Sequence, residues 1–291
     1  LNLAAVVVLS CSPASGPYTA KIRMLLPVVG FGMALDFVGG VITVLPAALV
    51  FADLGAEDGL RLRMMRLARV AAIALSVLTM LFVGLSERAD PQNRRHFAER
   101  NVTWACSSLA PGAIGMPAIL AAACFTSLWL KYLLAVPATL VTIGVAMGVL
   151  LAWQRGNVLE RWGWSLVLVS IASGLLIGMY AFDGPLPAPE LMDDYNELPR
   201  RLVRIAHAYA IVLGILAIFL ARKLPRNESL GWRAYTAAGL IAGSLVTVGV
   251  LIIHLGTSLP RSSYSVGPAL VAITALACLA GEQKNFSAKN A

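Results

Sequence analysis

Charge is scarce in this chain. Asp, Glu, Lys and Arg together make up 13% of its 291 residues, where soluble domains carry about 25%. Set beside 58% hydrophobic residues, that deficit excludes an ordinary soluble fold. Histidine is scarcer still. His96, His207 and His254 are the only three, too few to assemble a Ser-His-Asp site or a polyhistidine metal centre convincingly. The four cysteines, Cys11, Cys106, Cys124 and Cys278, show no CxxC or metal-ligand spacing. They read as small apolar residues, which excludes a disulfide framework. No phosphate loop, HExxH site or nucleophile elbow occurs anywhere. The chain therefore offers no catalytic motif.

What it has instead is long apolar runs. Spans are expected near 27–51, 65–85, 108–127, 135–153, 163–182, 201–221, 235–256 and 266–281. Most have the roughly 17–25 residues that cross about 30 Å of hydrocarbon. The runs are continuous rather than alternating, so helices and not barrel strands are predicted. The expectation is an all-α integral membrane protein of eight transmembrane helices, with the lipid bilayer as its first partner.

The net charge of +8 invites a nucleic-acid reading, but its distribution argues for topology. If the spans alternate, 14 of the 23 basic residues fall on the side of the N-terminus, with 6 of the 15 acids. The other side holds 9 basic residues and 8 acids, and Asp36 lies inside a span. By the positive-inside rule both termini are cytoplasmic, in a bacterial cytoplasmic (inner) membrane, and no nucleic acid is expected. Trp104, Trp153, Trp162, Trp164 and Trp232 fall near the predicted cytoplasmic ends and Trp129 near an outer one, as interfacial rings do. A first residue of Leu reads as a non-standard start codon or as missing upstream sequence.

The second four spans resemble the first four. Residues 63–69 (RMMRLAR) align with 201–207 (RLVRIAH) at an offset of 138. Thr126-Ser127-Leu128 and Pro137 align with Thr257-Ser258-Leu259 and Pro268, both at 131. The expected organisation is a 1–26 N-terminal segment, a 27–155 four-helix repeat, a 160–283 four-helix repeat of the same orientation, and a 284–291 tail. Pro137, Pro199 and Pro268 suit first helical turns. Gly174 and Gly178, like Gly239 and Gly243, have small-xxx-small spacing, read as packing inside the bundle rather than as a dimer face.

Few residues can carry chemistry. Asp36, about ten residues into the first span, is either a coupling carboxylate or a structural hydrogen-bonding group. It has no evident counterpart in the second copy, which favours the structural role. Arg61, Arg63, Arg66 and Arg69, and Arg200, Arg201 and Arg204, form basic helix starts, suited to snorkelling or to an anionic group such as a lipid head group or haem propionates. His96 reads as a solvated loop residue.

His207 and His254 lie on consecutive antiparallel spans, about 10 Å and about 3–6 Å from the outer surface at 1.5 Å per residue. They are candidate axial ligands of haem iron. Arg200, Arg204 and His207 share a helix face at i, i+4 and i+7, where arginines can meet propionates. The aligned residues in the first copy are Arg69 and Ala123, so such a site exists once. The structural alternative is two neutral histidines hydrogen-bonded to neighbouring helices. The functional expectation is a non-catalytic membrane subunit, structural, accessory or binding one b-type haem, of an electron-transfer assembly with other membrane subunits. The competing expectation is a small-solute or ion transporter using Asp36.

Overall fold

The computed structural model describes residues 25–44, 58–87, 96–180, 187, 198–223, 230–253, 266–274 and 277. Every regular element among them is helical. In chain order these are α1 (Leu26–Val44), α2 (Asp58–Glu87), α3 (His96–Phe125), α4 (Ala135–Arg155), α5 (Val158–Tyr180), α6 (Leu198–Lys223) and α7 (Leu230–Ile253). A 3-10 helix at Leu128–Leu134 leads from α3 into α4, and residues 266–274 are again helical. Six of the helices are long and apolar enough to cross a bilayer. The chain is an all-helical, multi-pass membrane protein. Of the expected first and eighth spans, residues 45–51, 275, 276 and 278–281 lie outside the described residues.

Two helices start earlier than hydropathy predicts. α2 begins at Asp58 and α3 at His96, not near 65 and 108. Hydropathy reads the thickness of hydrocarbon, whereas the helix runs on wherever its residues favour it. Leu60, Arg61, Leu62, Arg63 and Met64 of α2, and Ala98, Glu99 and Arg100 of α3, are good helix formers. His96 is accordingly the first residue of α3 and not a loop residue. α3 also continues through Pro111 and Pro117. Each lacks a backbone donor, and in a bundle, neighbouring helices and Ser side chains can compensate.

The chain divides into two compact units, Leu1–Leu151 with Leu175–Pro185, and Ala152–Gly174 with Leu186–Ala291. In the first, α2 packs between α1 and α3. Met64, Met65 and Ala68 of α2 meet Leu120, Ala123 and Cys124 of α3 in a closed apolar seam. The i, i+3, i+4 spacing puts each set on one helix face. Cys124 in this seam and Cys106 further back along α3 are buried free thiols, while Cys11 and Cys278 lie outside the described residues.

The second unit is built around Leu159, Leu213, Ala217, Leu220, Ala221, Leu240 and Val271. Here α5 and α6 cross closely at two glycines. A Cβ on Gly163 would stand 2.7 Å from the Gly214 carbonyl oxygen, and one on Gly214 would stand 2.8 Å from that of Gly163. Gly239 and Gly243 of α7 likewise face Thr274 and Val271, so this small-residue pair packs within the unit. Trp164 is 0% exposed and belongs to the core. Trp162, on the opposite side of the helix turn, donates its indole N–H to Ser244 Oγ at 3.0 Å. Trp104, Trp129 and Trp153 are exposed. Val70, Val136, Val169 and Val212 are each at least 60% exposed. Such an apolar exterior suits lipid, not water.

Candidate functional site

The carboxylate expected to be alone in its span has a partner. Arg69 of α2 donates to Asp36 Oδ1 of α1 from Nε at 3.1 Å and from Nη2 at 3.0 Å. Both side chains are mostly covered, Arg69 30% and Asp36 19% exposed. An unpaired charge at this depth would be costly, and a hydrogen-bonded pair removes most of that cost. Sequence reasoning assigned Arg69 to the outer interface, whereas the packing of α2 on α1 brings it against Asp36.

Arg61 does different work near the start of α2. Its Nη1 donates to three carbonyl oxygens at the end of α3: Ala123 at 3.3 Å, Cys124 at 2.8 Å and Thr126 at 3.2 Å. The last carbonyls of any helix lack intrahelical donors, and a cation there also complements the helix dipole. The Cys124 thiol donates back to the Arg61 carbonyl at 3.2 Å. Arg61 is only 6% exposed, so it is a buried helix cap rather than a snorkelling side chain. Nothing in the local sequence of α2 identifies it, because the carbonyls it caps are more than 60 residues away.

His207 of α6 is held by α5. Its Nδ1 lies 2.8 Å from the Ser170 carbonyl oxygen and 3.1 Å from Ser170 Oγ. The Ser170 hydroxyl donates to the His207 carbonyl at 2.7 Å. The imidazole lies on Gly174, where any Cβ would collide with the ring at Cε1. Gly174 and His207 stand 138 residues after Asp36 and Arg69. The sequence singled out His207, and Gly174 only as a packing glycine, but gave no sign of Ser170.

The other members of the expected haem site are distributed differently. Arg200 is 8% exposed. Arg201 and Arg204, with Ile205 and Ala208, line an open groove of about 420 Å³ along α6. His254 lies outside the described residues, so its relation to His207 is not on view. Among the described residues, no group of three or more His, Cys, Asp or Glu is placed to hold a metal ion.

At the opposite end of α5, Asn157 Oδ1 caps the helix by accepting from the Glu160 N–H at 2.8 Å. Its Nδ2 donates to the Ala221 carbonyl at 3.2 Å. Glu160, 2% exposed, accepts from Arg222 Nε at 3.4 Å. This polar cluster ties the start of α5 to the end of α6. The Asn-x-x-Glu spacing before an apolar run was its one signal in the sequence. No family model, curated protein or solved structure matches the chain.

Proposed function

We propose that the protein is a non-catalytic membrane subunit of an electron-transfer assembly in a bacterial inner membrane, working beside other membrane subunits. One observation carries the reading: Asp36 is already neutralised by Arg69. A transporter's coupling carboxylate must exchange its proton or ion during each cycle, and a two-point arginine contact opposes that exchange. The continuity of α3 through Pro111 and Pro117 points the same way, because midplane sites usually use broken helices. A scaffolding or accessory role needs neither feature.

A b-type haem bound through His207 and His254 is the form of this reading that gives the subunit a redox part. It is favoured by the hydrogen bond from His207 to a peptide carbonyl, the arrangement usual for metal-bound imidazoles.

The architecture proposed with it is eight spans in two tandem repeats of one orientation, with both termini cytoplasmic. The register supports a duplication. Asp36 meets Arg69, and 138 residues on, Gly174 meets His207. Gly112 meets Pro137 and Val141 of α4. Gly243, 131 residues later, meets Gly267 and Val271, one residue short of the matching positions.

The deciding experiment is an absorption spectrum of the purified protein, oxidised and then reduced. A Soret band of b type, lost in His207→Ala and in His254→Ala, supports the haem form. Colourless protein that co-purifies with redox subunits supports the accessory form. Proton- or ion-driven solute uptake in proteoliposomes, abolished by Asp36→Asn in folded protein, would replace both with the transporter.

A further inference from the structure

One exposed strip of α6 carries positive charge at its start and apolar surface beyond it. Arg201, Ile205, Ala208 and Val212 are exposed and Arg204 is half-buried. At i, i+3, i+4, i+7 and i+11 they lie on one face of the helix. Arg201, Arg204, Ile205 and Ala208 line the open groove of about 420 Å³, and Ala208 is the smallest of the four side chains.

Helix length places the arginines in depth. α6 has 26 residues, about 39 Å at 1.5 Å per residue, against about 30 Å of hydrocarbon. Centred in that layer, it leaves about three residues at each end among the head groups. Arg201 stands at that boundary. Arg204 lies about 4.5 Å deeper, but helical side chains lean toward the helix start. Its guanidinium can therefore snorkel to the level of the phosphates.

The first unit repeats the strip. Arg63, Arg66, Leu67 and Val70 of α2 are exposed, and they stand 138 residues before Arg201, Arg204, Ile205 and Ala208. α2 has 30 residues, about 45 Å, which puts the hydrocarbon boundary about five residues in, at Arg63. What faces inward at matching positions differs, Arg69 on Asp36 in one unit and His207 on Gly174 in the other. Shared packing therefore does not account for the shared strip.

We propose that each strip binds one anionic phospholipid, its phosphate held between the two arginines and an acyl chain laid along the apolar residues beyond them. The rigid guanidinium fork matches phosphate oxygens two at a time. A pair of arginines favours an anionic head group over a zwitterionic one, whose own cation they repel. A free phosphate would leave Ile205 and Ala208 uncovered, whereas a lipid chain covers them. The site stands apart from the function proposed above, since a subunit and a transporter alike could carry it.

Native mass spectrometry of the full chain, delipidated in a neutral detergent, counts the lipids bound. Phosphatidylglycerol and phosphatidylcholine with identical acyl chains are the two probes. Two retained phosphatidylglycerols and much weaker phosphatidylcholine are expected. An arginine near an anionic surface is worth roughly fivefold in affinity, so Arg201→Gln with Arg204→Gln should weaken one site about 25-fold. Arg63→Gln with Arg66→Gln should weaken the other, and the untouched strip reports that each variant is folded. Ala208→Phe keeps both charges but fills the groove, and it should weaken the α6 site too. Inorganic phosphate should not displace the lipid. Equal binding of the two lipids would assign the arginines to pairing within the protein and overturn the proposal. So would unchanged binding in both arginine pairs, or loss of both lipids when one strip is altered. Displacement by phosphate alone, or full binding in Ala208→Phe, would leave an anion site without a lipid and overturn it as well.

Discussion

Arg69 reaches Asp36 with two nitrogens, Nε at 3.1 Å and Nη2 at 3.0 Å, that converge on the one oxygen Oδ1. The contact changes what a substitution at Asp36 means. Considered alone, Asp36→Asn preserves shape and should be nearly silent. Considered with its partner, it takes the carboxylate away from an arginine that lies within a candidate membrane span.

Asp36→Asn and Arg69→Met should therefore each destabilise the folded protein, by about 3 kcal/mol, because each removes one partner of a mostly covered ion pair. The double variant should recover much of the loss. Thermal unfolding of the four proteins in one detergent forms the cycle that measures the coupling. If the two single losses simply add, the pair contributes nothing.

Removing Arg61 exposes the carbonyls of Ala123, Cys124 and Thr126 that it caps. Arg61→Ala should cost about 1.5–3 kcal/mol, the range for a hydrogen bond to a charged group. Arg61→Lys should restore part of this, since it keeps the charge but presents a point donor instead of a fork. The measurement is the unfolding midpoint, with hydrogen exchange following the last turn of α3. Full stability of Arg61→Ala would show that other donors serve these carbonyls.

Gly174→Ala places a methyl group against the His207 imidazole. We expect a loss of about 1–3 kcal/mol, as for overpacking elsewhere. Adding His207→Ala should relieve it, and the pair should be strongly non-additive. A Gly174→Ala protein as stable as the parent, with the His207 tautomer unchanged, would mean the ring can move aside.

The proposed topology predicts which side of the membrane each loop occupies. Cysteine placed by Asp194→Cys should react with a membrane-impermeant reagent in intact cells, and cysteine placed by Arg94→Cys should not. The native cysteines are controls, with Cys106 and Cys124 buried. Labelling of residue 94 and sparing of residue 194 would invert the orientation.

Much of the fold was legible because its cause is local. A continuous apolar run such as 135–153 must become a helix in lipid, where every backbone group needs an internal partner. The helix Ala135–Arg155 follows that run closely. Pro137 and Pro199 both fall in first turns, as their missing N–H requires. The starts of α2 and α3 were less legible, since their arginines and glutamate leave the hydropathy signal without leaving the helix.

The site divides in the same way. Composition and spacing were enough to point to a membrane protein with very few histidines, and they marked Asp36 as the acid of an apolar run. They also singled out His207 as unusual. What that carboxylate and that histidine are bonded to depends on how neighbouring helices slide against each other, and no single helix encodes that register. The tertiary structure alone joined Asp36 to Arg69 across 33 residues and His207 to Ser170 across 37. It also turned Arg61 from an interfacial cation into a helix cap. The physical reason is the same in each case: hydrogen bonds in a bilayer's low dielectric are short-ranged and directional, so they are decided by contact and not by order along the chain.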